Sequence, residues 1–82
     1  MNAAVDEAIG RRDFDRALQL LRELIQAEPG NVAALNLLAA VQAEVGQAAN
    51  AAATYALSLG RDANQPETLA NLAMVLYRLG QD

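Results

Sequence analysis

This 82-residue sequence predicts an all-α fold of stacked helix hairpins, and three observations lead there. The first is an internal period: shifting the chain by 34 residues pairs Leu35 with Leu69, Leu38 with Leu72, and Ala39 with Ala73. The same shift pairs Val45-Gly46-Gln47 with Leu79-Gly80-Gln81, Ala17 with Ala51, and Leu21 with Tyr55. The second is helical spacing of the apolar residues within each period. The third is punctuation: Gly46, Pro29-Gly30-Asn31 and Pro66 stand where helices would stop or start.

Five helices follow, over about 3–11, 14–28, 32–45, 48–60 and 66–79. The first aligns with the third under the shift, with Val5 where the later copies carry Ala39 and Ala73. Valine is bulkier, so the first hairpin is expected to be looser. The second carries Ala17 and Leu21 and is stopped by Pro29. Asn31 is a natural N-cap for the third, whose apolar positions are Leu35, Leu38, Ala39 and Val45. Gly46 can end it with a positive φ at no steric cost. The fourth uses Ala48, Ala51, Ala52, Tyr55 and Leu59. The fifth opens on Pro66 at its first position, where a missing N–H costs nothing, and Glu67 suits the helix dipole. Short turns between them make neighbours antiparallel. A single domain over 1–82 results, divided into 1–31, 32–65 and 66–82.

Composition narrows the function. Apolar residues make up 54% of the chain, mostly alanine and leucine, which favours close-packed helices over a sheet sandwich. A net charge of −4 argues against nucleic acid, which needs a basic face. Arg11, Arg12, Arg16 and Arg22 cluster, but Asp6, Glu7, Asp13, Asp15 and Glu23 interleave with them. The run from Val32 to Val41 is half a membrane span and contains Asn36, so no membrane segment is expected. No secretory signal is legible at the start, which weakly favours the cytoplasm.

Chemistry is thinly supplied. The sequence has no histidine, cysteine, lysine or tryptophan, so its few hydroxyls have no histidine or lysine base to activate them. Asp6/Glu7 and Asp13/Asp15 are the candidate carboxylate pairs, and helix capping explains such positions. Asp13-x-Asp15 offers too few oxygen ligands for a cation. No enzyme activity, cofactor or metal is expected.

The pattern resembles the tetratricopeptide repeat family, whose repeat reads W-x2-L-G-x2-Y…A-x3-F…P over about 34 residues. The central repeat reads Leu35-x2-Leu38-Ala39-x2-Gln42…Ala51-x3-Tyr55, with Ala63 in the proline's place. The first keeps Ala17-x3-Leu21…Pro29 and the third keeps Leu69-x2-Leu72-Ala73-x2-Leu76. The tryptophan is missing, alanine replaces the inner glycine, and Gln42 stands where an aromatic is usual. The resemblance implies a short right-handed α-solenoid of about two and a half repeats. It also implies a protein-binding module whose groove is lined by the first helix of each repeat. That places Asn36, Leu37, Ala40, Glu44, Asn71, Met74, Tyr77 and Arg78 at a partner-binding groove, with Asn2, Ala3, Asp6, Ile9, Ala33, Ala43, Glu67 and Ala70 on the same face. Asn36 and Asn71 would hydrogen-bond a peptide backbone. A single groove arginine, Arg78, against Asp6, Glu44 and Glu67 disfavours an acidic ligand. A neutral, apolar or mildly basic protein segment is the expected partner.

The fifth helix raises the alternative, a self-association element. Met74, Val75, Leu76, Tyr77 and Leu79 follow almost without a break, whereas end helices of a solenoid carry a polar outer face. The sequence reads as a segment of a longer repeat protein. As an 82-residue chain it is expected to form a homo-oligomer through Leu69, Leu72, Leu76 and Leu79.

Overall fold

Helix boundaries recur at the period of the sequence. The computed structural model describes residues 2–81 and contains α1 (Ala3–Gly10), α2 (Phe14–Ala27), α3 (Val32–Glu44), α4 (Ala48–Arg61) and α5 (Pro66–Leu79). Starts at 14 and 48, and at 32 and 66, differ by 34, as do ends at 10 and 44 and at 27 and 61. The described residues form an all-α helical repeat solenoid. Each helix packs mainly on its neighbours in the chain, and the whole measures 33 × 27 × 18 Å.

Local chemistry sets the boundaries. Asn2 caps α1, accepting from the N–H groups of Ala4 and Val5 at 2.9 and 3.3 Å. Asp13 caps α2 through the Arg16 N–H, and Asn31 caps α3 through the Ala34 N–H at 3.0 Å. Each satisfies an otherwise orphaned donor of the first turn. Pro66 opens α5 as its spacing predicts.

The turns inside the two complete hairpins are alike. The Gly46 N–H donates to the Ala43 carbonyl at 3.2 Å and the Gln47 N–H to that of Gln42 at 2.8 Å, a Schellman closure with Gly46 at φ +85°. At the equivalent place after α1 stands Arg12, at φ +59°, with the same pair of bonds closed to the carbonyls of Ile9 and Ala8. Gly80, one period after Gly46, is the C-cap of α5 and keeps a right-handed backbone at φ −75°. A side chain at Gly46 meets no neighbour, so its cost is conformational alone. Gly46→Ala should therefore destabilise by about 1–2 kcal/mol. Thermal melting should move down by roughly 4–8 °C per kcal/mol for a domain of this size. An unchanged melting temperature would show that the turn re-forms without left-handed backbone.

Two apolar clusters run through the stack. Val5, Ala8, Ala17, Leu18, Leu21, Ala34, Leu38 and Val41 bury together among α1, α2 and α3. Ala39, Ala51, Tyr55 and Val75 do so among α3, α4 and α5, with Leu72 and Leu79 packed against them. Val5, expected to loosen the first hairpin, is fully buried, and its bulk is taken up in the first cluster. Gln42 is buried in place of the usual aromatic ring, and its Oε1 accepts from the Thr54 hydroxyl at 2.8 Å. That bond answers the cost of an amide in the core.

α5 differs from its sequence reading. Val75, grouped with the exposed residues, is buried, because positions 68, 72, 75 and 79 fall on one face of a 3.6-residue helix and meet α4. The four leucines assigned to self-association therefore divide. Leu72 and Leu79 turn into the second cluster, and Leu69 and Leu76 remain outside, each about half exposed.

Candidate binding groove

Helices α1, α3 and α5 contribute facing residues to two clefts that share the Ala40–Glu44 turn of α3. The first, of about 280 Å³, is lined by Ile9, Arg12, Phe14, Leu37, Ala40, Val41 and Glu44. Its walls are mostly hydrocarbon. At its lip the Arg12 guanidinium lies 5.1 Å from the centre of the Phe14 ring and reaches Glu44 Oε1 at 3.4 Å. Both charged groups are largely exposed, so the ion pair contributes about 0–1 kcal/mol and exchanges readily.

The second cleft, of about 240 Å³, is lined by Ala40, Ala43, Glu44, Tyr55, Asn71, Met74, Val75 and Arg78. Val75 and Tyr55 form a buried floor. Burial pushes the Tyr55 hydroxyl above its usual pKa, keeping that floor neutral. Asn71 and Arg78 stand two helical turns apart on one face of α5. Neither side chain forms a hydrogen bond or ion pair among the described residues.

Six of the eight expected groove residues are thus brought together: Leu37, Ala40, Glu44, Asn71, Met74 and Arg78. Tyr77 is not among them. It projects 70% exposed beside an outer depression with Ala73 and Gln81, which Met74 and Arg78 border from the other side. Asn36, expected to hold a peptide backbone, is engaged inside the protein. Its Nδ2 donates to Gln65 Oε1 at 2.8 Å, and its Oδ1 is buried without a partner among the described residues. Asn2 is likewise used as a cap.

Sequence reading missed Arg12, Phe14, Val41, Tyr55 and Val75 as lining residues. The signal for Arg12 was present, since it lies one 34-residue period before the turn marked by Gly46. Among the described residues no carboxylate cluster could hold a metal, and no helix is long and apolar enough to cross a membrane. Asp13 is a helix cap and Glu7 pairs with Arg11 at 2.9 Å, which accounts for two of the acidic candidates.

The family model for the tetratricopeptide repeat matches residues 8–67 of the 82. The chain belongs to the tetratricopeptide repeat family. A search of curated proteins returned no match. Tetratricopeptide repeats generally mediate protein–protein interaction and are typically scaffolds without catalytic activity.

Proposed function

We propose that this tetratricopeptide module binds an extended segment of a partner protein across α1, α3 and α5. The observation that carries the reading is the pair of adjoining clefts with Ala40 and Glu44 between them. A large apolar side chain fits the first cleft, against Ile9, Phe14 and Leu37. Its backbone then reaches Asn71 and Arg78, whose side chains have no hydrogen bond or ion pair among the described residues. Glu44 stands in both clefts and its bond to Arg12 is weak, so a basic residue on the ligand can displace Arg12. The favoured partner is accordingly neutral, apolar or mildly basic.

The test is selection from a displayed library of unstructured random peptides, followed by titration of the enriched sequences. Ala40 is exposed at the junction of the clefts, so Ala40→Arg fills both while leaving the core intact. Enriched peptides should bind Ala40→Arg at least about ten-fold more weakly, equivalent to the ~1.4 kcal/mol of a few lost contacts. Equal binding to both proteins, or no enrichment, would remove the groove as the site.

A second reading, self-association, is favoured by the exposure of Leu69, Leu76 and Tyr77 on α5. It uses a different side of that helix and is compatible with the first.

A further inference from the structure

Arg12 stands against a backbone preference that glycine would satisfy. It sits at φ +59° in the turn after α1, where the second hairpin places Gly46. Left-handed backbone disfavours residues that carry a Cβ. Such strain persists only where its surroundings hold it, and it clusters where a side chain is put to use. Two bonds hold it here: the Arg12 N–H donates to the Ile9 carbonyl at 2.9 Å, and the Asp13 N–H to that of Ala8 at 2.8 Å.

The strained turn delivers a guanidinium to the mouth of the first cleft. Its centre lies 5.1 Å from the centre of the Phe14 ring, and Nη2 donates to Glu44 Oε1 at 3.4 Å. Phe14 opens α2 and Glu44 closes α3, so an aromatic face and a carboxylate from two helices meet around one cation. The repeat itself does not require this trio. One period later the same three positions hold Gly46, Ala48 and Arg78, without ring or carboxylate. Phe14 and Glu44 thus form a guanidinium seat that the second hairpin lacks.

We infer that the first cleft selects an arginine of the partner segment, seated on Phe14 and Glu44 in place of Arg12, and that Arg12 is its built-in competitor. The inference rests on the groove reading and names the side chain that the groove recognises. Arg12 holds the seat loosely, through one long contact to one carboxylate oxygen, with both groups mostly in water. An arginine arriving on a separate segment can set two N–H groups against both oxygens. Lysine has neither that fork nor the flat face that stacks on a ring. Side chains alternate along an extended segment, so residues two apart enter the same side. The partner then carries an arginine and a large apolar residue with one residue between them, the apolar one against Ile9 and Leu37. A basic segment also complements the net charge of −4.

Arg12→Gly empties the seat and suits the left-handed turn, so the fold is kept. A displayed library of random heptapeptides is selected on that variant. Enriched peptides are then resynthesised with lysine, or with neutral citrulline, for each arginine. The expected sequences carry arginine two positions from a large apolar residue, and either replacement weakens binding about ten-fold. The same peptides should bind Arg12→Gly about ten-fold more tightly than the parent, because the competitor is gone. Adding Glu44→Gln to Arg12→Gly should reverse that gain. Arg12→Asn, whose side chain also tolerates left-handed backbone, should repeat the gain and guards against a folding defect in the first variant.

Enriched peptides without arginine, or equal binding of the lysine forms, would mean that the cleft reads no guanidinium. Arginine peptides that bind Arg12→Gly no more tightly than the parent would make Arg12 a structural latch. Either result overturns the inference, while loss of the same peptides in Ala40→Arg keeps the groove reading. No enrichment on parent or variant overturns both.

Discussion

Leu21→Ala is expected to bring the domain to the edge of unfolding. Leu21 is fully buried on α2 and shares its cluster with Val5 and Ala8 of α1 and Ala34, Leu38 and Val41 of α3. Truncation removes apolar burial and leaves a void, at a cost of about 2–5 kcal/mol for a leucine in such a place. Small domains hold only about 5–15 kcal/mol in total. The large residues around Leu21 belong to three different helices, so no single side chain can move in to fill the space. Leu57→Ala, on the exposed side of α4, is the matched control and should stay within about 0.5 kcal/mol. Urea melts followed by circular dichroism measure both. A change under about 1 kcal/mol at Leu21 would show that α1 or α3 closes over the gap.

The position of that loss matters as well as its size. A solenoid's stability is a sum of repeat and neighbour terms, and among the described residues α3 is the helix that contributes buried residues to both clusters. Leu21→Ala should thus release hydrogen-exchange protection in α1 and α2 before it does in α4 and α5. Uniform loss would mean that α3 couples the clusters into one cooperative unit.

The sequence displayed the fold well where backbone punctuation is local. Asn31, Gly46 and Pro66 each act through their own φ or side chain, and each helix edge fell within one residue of its expected place. The period then transferred those edges from one repeat to the next. Arg12 escaped because arginine is not a turn former, and its left-handed backbone is held by two bonds to α1 rather than by its own preference. The face of α5 was misjudged for a different reason. Composition shows five large residues nearly in a row, and only the 3.6-residue period separates Val75, inside, from Leu76, outside. Groove residues were legible as positions on first helices, but their use was not. Asn36 looks like Asn71 in the sequence, yet a glutamine 29 residues away claims it.

That glutamine gives the second large effect. Gln65 lies in the turn between α4 and α5, and its side chain ties three helices. Nε2 donates to the carbonyls of Ser58 and Asp62 at 3.1 and 2.7 Å and lies 3.1 Å from the Ser58 hydroxyl. Oε1 accepts from Asn36 Nδ2 at 2.8 Å and from the Thr68 hydroxyl at 3.1 Å. Ser58 and Thr68 are both buried, so their polar atoms depend on this one amide. An orphaned buried group costs about 1–3 kcal/mol, and Gln65→Ala orphans several at once while admitting some solvent. The expected loss is about 2–4 kcal/mol, which rivals a core leucine although Gln65 contributes no apolar cluster residue.

Gln65→Glu separates the hydrogen bonds from the side chain's bulk. The carboxylate keeps both acceptors for Asn36 and Thr68, but it turns the donor that faced the Ser58 and Asp62 carbonyls into a second acceptor. Two carbonyls against a carboxylate oxygen disfavour the charged form, which raises the folded pKa of the introduced carboxyl above its unfolded value of about 4.3. The attraction of the α5 N-terminus opposes this by about 0.3–1 kcal/mol, less than the loss of two donated bonds. A raised acid pKa means that the folded protein binds its proton more tightly than the unfolded chain. Relative to the parent, stability of the variant should therefore be greatest below about pH 4.3 and fall as pH rises through the folded pKa. Chemical denaturation of both proteins from about pH 4 to 8 measures the difference. A gap that is flat with pH would mean that the introduced carboxylate swings out to solvent, and that the joint between α4 and α5 survives without its donor.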